Sequence, residues 1–442
     1  MFLIYSLLYV LALIFILPFQ YLKRPKILRK RWLKEKLGLF ELPFQPPHTC
    51  FNKRDGGGSI WVHAVSVGEV TASIPLLNNL RMKYPLKNLI LSTITDTGQK
   101  IAKEKSPEGT AVVYLPFDIA LILNSVLKKI KPEILIVIET ELWPNLFRVF
   151  KKDRIPVILL NGRISEKSFK GYKKISFFMK KVLSYVDFFG MQNEEYTERI
   201  RSLGVESSRI MNLGNFKFDA RPPLQIPEWT HKIKGQVIVA GSTHEGEEEL
   251  ITSAYIDLKK EFPDLNLIIA PRHPERFKPV EDMLKLKGVL FVKRSAFETP
   301  NPPIPPLVKG GKGGFLESQI FKGIIILLDT VGELSAVYGR ADITVIGKSF
   351  RGYGGQNPLE PAFWGKIMIC GPNMENFPVI KDFYKDGAAI EVEEEGLYSK
   401  LKELLISPEK AKEIGLKAQE LYRRNSGAVD KAIKVIQKYI SQ

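Results

Sequence analysis

Short apolar runs, each too brief for a helix and each followed by a longer mixed stretch, recur along most of this chain in two series. The first series is Ile60–Val65, Leu89–Thr93, Val112–Leu115, Ile134–Ile138 and Val157–Asn161, closed by Phe188–Gln192 and Ile210–Leu213. Amphipathic segments such as Val70–Lys83 and Ile119–Ile130 separate the runs. Strand-like runs alternating with helical ones predict an α/β fold, a parallel sheet with crossover helices. Arg221-Pro222-Pro223 through Pro227 breaks the rhythm and marks a domain boundary. The alternation then restarts with Val237–Ala240, Leu267–Pro271, Val289–Val292, Ile324–Leu328, Ile343–Ile346, Ile367–Cys370 and Ala389–Val392. The expected architecture is two tandem Rossmann-like, doubly wound domains facing a cleft, with ligands at the carboxyl ends of the strands. A final helix, Ala428–Ile440, can pack on either half.

A chain of 442 residues suits two or three domains. Its formal charge of +17 fits nucleic acid, anionic lipid or an acidic substrate as partner. Cys50 and Cys370 lie far apart in no metal spacing, so reduced thiols are expected. The histidines form no H-x-x-x-H pair, and no D-x-D pair is present to hold a divalent ion on a nucleotide sugar. Met1–Leu22 carries no charge, and the basic residues Lys23, Arg24, Lys26, Arg29, Lys30, Arg31, Lys34 and Lys36 follow it. Basic residues after the apolar run favour an uncleaved anchor with the body in the cytoplasm, the basic segment lying on anionic headgroups. A cleaved signal and a helix buried in the fold are the alternatives. Pro43–Gly58 reads as a linker. Residues 295–323 hold a Pro/Gly-rich low-complexity stretch that reads as a flexible insertion.

The densest signal lies after Ile343–Ile346, where the chain meets Gly347, Gly352, Gly354 and Gly355 and then Asn357-Pro358. Asn357 fits an N-cap, Pro358 a first helical position, and Glu360 the capping-box partner. Such a turn offers bare N–H groups and a positive dipole end to a phosphate, or is simply a tight strand-to-helix connection. Ser66-Val67-Gly68-Glu69 and Glu139-Thr140-Glu141-Leu142-Trp143-Pro144-Asn145 also follow strands, placing acids where a general base is needed or where a helix start merely favours them. Ser242 and Thr243 follow Val237–Ala240, and Pro271 and Arg272 follow the next run, an arginine fork suited to phosphate or carboxylate. Basic residues between Lys151 and Lys181, Arg163 among them, are candidates for acceptor phosphates or a solvated face.

Gly354-Gly355-Gln356-Asn357-Pro358-Leu359-Glu360-Pro361 closely resembles the nucleotide-sugar loop of the bacterial Kdo transferases, which attach 3-deoxy-D-manno-octulosonic acid (Kdo) to lipid A precursors. The family has His where this chain has Gln356. Ser66–Glu69, Glu139–Asn145, Gly214–Asp219, the Pro271-Arg272 pair and Val331–Leu334 match further family segments. The resemblance implies a GT-B glycosyltransferase that moves Kdo from CMP-Kdo to a lipid A precursor, lipid IVA, with inversion and without metal or other cofactor. It implies Glu69 as base, Glu139 as transition-state stabiliser and Lys217 as a cation on the donor carboxylate or leaving phosphate. The CMP contacts it implies are Pro271, Arg272, Val331, Gly332, Glu333, Leu334, Asn357, Pro358, Leu359 and Glu360, with Ser242, Thr243, Gly354, Gly355 and Gln356 around the donor. The implied layout is an anchor over 1–22, an acceptor domain over 23–222, a nucleotide-sugar domain over 223–425 and a helix over 426–442 returning to the first domain. The implied place is the cytoplasmic face of the inner membrane, with anionic lipids but no nucleic acid as partner.

Overall fold

A computed structural model of the chain describes residues 1–40, 42, 58–220, 224–298, 321–352 and 354–440. Most of the Pro43–Gly58 linker, Arg221–Pro223 and residues 299–320 of the Pro/Gly-rich stretch lie outside the described residues. The chain divides into two compact units, Met1–Ala220 with Asn425–Gln442, and Arg221–Arg424.

In the first unit the strands are β1 (Ser59–His63), β2 (Asn88–Thr93), β3 (Ala111–Tyr114), β4 (Pro132–Ile138), β5 (Val157–Gly162), β6 (Phe188–Met191) and β7 (Ile210–Asn212). They form a seven-stranded sheet in the order β3-β2-β1-β4-β5-β6-β7, every pair parallel. Strands β1 to β6 are buried on both faces, which explains why they read as unbroken apolar runs, while the edge strand β7 is partly exposed. One face buries Trp61, Leu135 and Val137 with Phe147 and Phe150, the other Val62 and Ile136 with Leu76, Leu77 and Leu80. Strand order reverses between β1 and β4, the topological switch point where such sheets bind ligands.

The chain leaves this unit after the 3-10 turn Phe216–Asp219 and returns at Asn425. The returning helix Ala428–Ile436 buries Ala428, Val429, Ala432, Ile433 and Ile436 beside Val70 and Leu76. Both Asp219 carboxylate oxygens accept its first free N–H groups, from Gly427 (2.5 Å) and Val429 (2.7 Å). At the other end of the chain, the uncharged stretch forms the helix Phe2–Lys23, long and apolar enough to cross a membrane.

The second unit repeats the plan with β8 (Val237–Thr243), β9 (Asn266–Pro271), β10 (Phe291–Lys293), β11 (Ile325–Leu327), β12 (Ile343–Ile346), β13 (Ile367–Cys370) and β14 (Ile390–Glu391). The order is β10-β11-β9-β8-β12-β13-β14, again all parallel, and the switch point lies between β8 and β12. Residues at both ends of the stretch expected as a flexible insertion, 295–323, pack into this unit. Phe297 stacks on Phe321 at 4.9 Å and meets Trp229 edge-on at 5.5 Å, so both ends of the segment join the core of this unit.

Candidate active site

The loops at the carboxyl ends of β1 and β4 bring three carboxylates together at the first switch point. Glu69 lies in the first turn of the helix Val67–Lys83 and is almost fully buried. Its carboxylate accepts from the Val65 N–H (2.8 Å) and the Ser66 hydroxyl (2.9 Å). Burial pushes its pKa up, the Val65 N–H opposes this, and the charge of Glu139 pushes it further up. Glu139 directly follows β4 with φ of 61° and is held there by its N–H on the Leu160 carbonyl (2.9 Å). Burial raises its pKa too, while Lys217 and Arg163 pull it back. Glu141 is raised to about 7 by burial and by the charges of Glu69 and Glu139. Three carboxylates that feel one another cannot all ionise freely, so the cluster holds proton affinity near neutral pH.

Lys217 and Arg163 reach this cluster through a relay of loop contacts. Thr140 Oγ1 donates to the Arg163 carbonyl (2.6 Å) and accepts the Arg163 N–H (3.0 Å), tying the β4 and β5 loops. Asn161, fully buried with φ of 57°, accepts the Phe216 N–H on its side chain (3.0 Å). The Gln192 amide donates to the Asn161 carbonyl (2.9 Å), and Asn215 Oδ1 accepts the Lys217 N–H (3.0 Å). Burial lowers the Lys217 pKa and Glu139 opposes that. Beneath the cluster, His63 is fully buried and donates or accepts at Nδ1 with Ser92 Oγ (2.9 Å), its ring edge-on to Trp143. Burial pushes the His63 pKa down to about 3, so it stays neutral.

Glu69, Glu139 and Lys217, singled out in the sequence, are thus brought together. Glu141 and Arg163 belong with them, and the sequence offered only their strand-end positions as a signal. Asn161 and His63 had no such signal, because their part depends on what packs over them.

In the second unit the carboxyl ends of β8, β9 and β12 carry Ser242–His244, Arg272–His273 and Lys348. Arg272 is exposed, its backbone N–H held by the Thr243 carbonyl (3.0 Å). The His244 and His273 rings meet edge-on at 5.4 Å. Thr243 does not face solvent: its hydroxyl is fully buried and donates to Glu248 (3.3 Å). The Glu333 carboxylate accepts two bonds from Arg294 (2.9 and 2.7 Å) and one from Thr330, while Val331 is exposed and Gly332 has φ of 98°.

The glycine-rich loop after β12 departs from the expectation of bare N–H groups. The buried Glu247 carboxylate already accepts N–H bonds from Lys348 (2.6 Å), Ser349 (3.0 Å), Phe350 (3.0 Å) and Arg351 (3.4 Å), as well as from His244 (2.9 Å). The anion in this N–H nest comes from the protein itself. A Cβ on Gly354 would meet Asn376 at 2.1 Å and one on Gly355 would meet Met374 at 2.2 Å, and both residues have positive φ. These glycines serve the packing of the loop on its neighbour. The helix that follows, Leu359–Phe363, starts one residue later than expected, and its Pro358 N-cap has αR dihedrals. Asn357 Oδ1 accepts the Leu359 N–H (3.1 Å), and its amide donates to Glu360 (3.1 Å), so the capping pair is present with side chain in place of backbone as donor.

The paired seven-stranded sheets are those of the GT-B class of glycosyltransferases. UDP-GlcNAc 2-epimerase from Neisseria meningitidis superposes with a TM-score of 0.55 over 86% of this chain and 100% of that one, at 12% identity. MurG of Acinetobacter baumannii gives 0.50 over 86% and 99%, at 11% identity. Residues 31–220 match the family described as 3-Deoxy-D-manno-octulosonic-acid transferase (kdotransferase). The 3-deoxy-D-manno-octulosonic acid transferase of Haemophilus influenzae is 30% identical over 392 residues, 87% of each chain. That of Aquifex aeolicus is 32% identical over 350 residues, 79% of this chain and 86% of the relative. The chain belongs to the 3-deoxy-D-manno-octulosonic acid transferase family.

Proposed function

We propose that the chain transfers Kdo from CMP-Kdo to a sugar hydroxyl of a lipid A precursor such as lipid IVA, with inversion and without a metal. Glu69 takes the acceptor hydroxyl proton as the oxygen attacks the anomeric carbon. The bond from that carbon to the CMP phosphate oxygen breaks, and CMP departs with the electron pair. One displacement inverts the centre, so one base suffices and no glycosyl-enzyme forms. Glu139 and Lys217 stabilise the charge that develops during the displacement, a positioned electrostatic role. Arg272 and the rim of Ser242, Gln356 and Asn357 hold the nucleotide, with Pro271, Leu334, Leu359 and Glu360 shaping its pocket. Helix Phe2–Lys23 attaches the enzyme to the cytoplasmic face of the inner membrane, and no nucleic acid is involved.

The observation that carries this reading is the meeting of Glu69 and Glu139 with Lys217 at a switch point, in a chain of this family. Membranes containing the protein, given labelled CMP-Kdo and tetraacylated lipid A precursor, should yield a product heavier by one or more Kdo residues. Excess EDTA should leave the rate unchanged. CMP-Kdo consumption with no glycolipid product would overturn the acceptor assignment, and loss of transfer in EDTA would overturn metal independence.

A further inference from the structure

The helix Phe2–Lys23 has one half-buried stripe, Phe2, Tyr5, Ser6, Tyr9, Leu13, Leu17 and Tyr21, at the three-to-four spacing of a single helical face. That stripe is fastened to the first unit along its length. Near the start, Phe2 packs on Phe178 and Tyr185, each at 5.6 Å, with Arg148 over its ring. Tyr5 donates to Asp118 (2.8 Å), Ser6 exchanges bonds with Asn145 (3.0 and 3.3 Å), and Tyr9 accepts the Asp118 N–H (3.2 Å). Tyr9, Leu13, Leu17 and Tyr21 cover the core of Trp32, Tyr114 and Phe117, and just past the helix Arg24 pairs with Asp96 at 3.1 Å. The opposite face is bare. Ile4, Leu11, Phe15 and Leu22 lie there within a narrow arc at about 100° per residue, and all are exposed, Phe15 at 80%.

A helix of 22 residues at about 1.5 Å per residue is long enough to span a bilayer, but only if lipid can surround it. Here a crossing would carry Asp118, Asn145, Asp96 and Arg148 into hydrocarbon with it, and charged groups at that depth cost at least about 2.5 kcal/mol each. We infer that Phe2–Lys23 lies in the plane of the bilayer surface, with one face seated on its own domain and the other immersed in lipid. An interfacial helix ordinarily turns a charged face to water. In this protein the domain takes the place of that face. Lys23, Lys26, Lys30 and Lys34, all exposed at the end of the helix and in the next one, supply cations for anionic headgroups.

This inference rests on the membrane attachment proposed above and deepens it. Asn145, which clasps Ser6, closes the loop that carries Glu139 and Glu141, and Asp118 holds the Asn145 and Leu146 N–H groups at 3.0 and 2.7 Å. The helix therefore fixes the carboxylate cluster at a set height above the headgroups, where the sugar of a membrane-bound acceptor emerges.

The test places single spin-labelled cysteines at Ile4, Leu11, Phe15 and Leu22 in full-length protein carrying Cys50→Ser and Cys370→Ser. Their depths are measured by power saturation in vesicles of phosphatidylethanolamine and phosphatidylglycerol. All four side chains are exposed, so the fold should be retained in each. Equal shallow depths are expected. A steady gradient of about 1.5 Å per residue from Ile4 to Leu22 would overturn the in-plane arrangement and leave membrane attachment standing. Four fully aqueous labels would overturn attachment as well. Kdo transfer assayed on the same samples reports separately on the reaction.

Discussion

Glu69 and Glu141 divide the proton chemistry of one cluster, and their substitutions should separate base from neighbour. Glu69→Gln keeps the shape of the side chain but cannot accept the acceptor proton. General-base catalysis contributes typically ~10²–10⁴-fold, so turnover should fall by at least about two decades, ~2.7 kcal/mol in barrier. CMP-Kdo affinity, measured by titration, should stay near wild type. Glu141 is itself raised by the charges of Glu69 and Glu139, and Glu141→Gln leaves the proposed base in place. The plateau of the kcat/KM profile should then be kept. If Glu141→Gln instead loses two decades while Glu69→Gln does not, the base is Glu141. The same substitution has a signature in stability. Glu141 is raised in the folded state to about 7, so the native protein binds more protons than the unfolded chain between the ordinary glutamate range and that value. Stability from this group therefore falls as pH rises through that window, and stays low above it. Thermal melts of Glu141→Gln should match wild type near pH 4.5 and exceed it above pH 7.

Among the elements, the strands were the most legible and the loop ties the least. All fourteen apolar runs contain strands, and most of these are buried on both faces and so keep an apolar side chain at nearly every position. The positions of Glu69 and Glu139 were legible for the same reason: each acid lies in the loop or first helical turn after such a run. The glycine-rich loop was misread because its anion is supplied from far away in sequence. Glu247, in the helix Glu247–Glu261, reaches the N–H groups of Lys348 to Arg351 across the switch point between β8 and β12. No periodicity in the loop itself could reveal that. The stripe of Phe2–Lys23 was hidden likewise, since Tyr, Ser and Leu within an apolar run give no sign of which face meets protein. The Glu247 tie makes its own prediction. Glu247→Ala leaves several buried N–H groups unmatched, each at a cost of about 1–3 kcal/mol. Denaturant titration should show that loss in the melting of the second unit. A cost under about 1 kcal/mol would mean that another group takes over the nest.

At the scale of the whole molecule, the chain leaves the first unit at Ala220 and re-enters it at Asn425, so that unit is discontinuous in sequence yet closed in space. Ser426 Oγ donates to the Phe218 carbonyl at 3.1 Å, and Asp219 caps the returning helix, so the two ends touch. The returned segment matters energetically. It buries Val429, Ile433, Val435, Ile436 and Ile440 in the core that supports the Glu69 helix, and each large aliphatic side chain so buried contributes about 1.5–3 kcal/mol. Domains of this size are stable by only about 5–15 kcal/mol, so losing the segment removes a large share. A fragment ending at Ala220 should therefore lack a cooperative melt and should bind a hydrophobic dye. Joining Ala220 to Asn425 through a short Gly/Ser linker deletes the second unit but restores the helix, because the ends are already adjacent. That spliced chain, made in detergent, should regain a single sharp transition. It should have no Kdo transfer activity, since the proposed donor residues are gone. Asp219→Ala in the spliced chain should lower its midpoint, as the N–H groups of Gly427 and Val429 lose their acceptor at a cost of about 1–3 kcal/mol. If the fragment ending at Ala220 melts as sharply as the spliced chain, the first unit does not need its returning helix, and the chain crosses back for the sake of something other than stability.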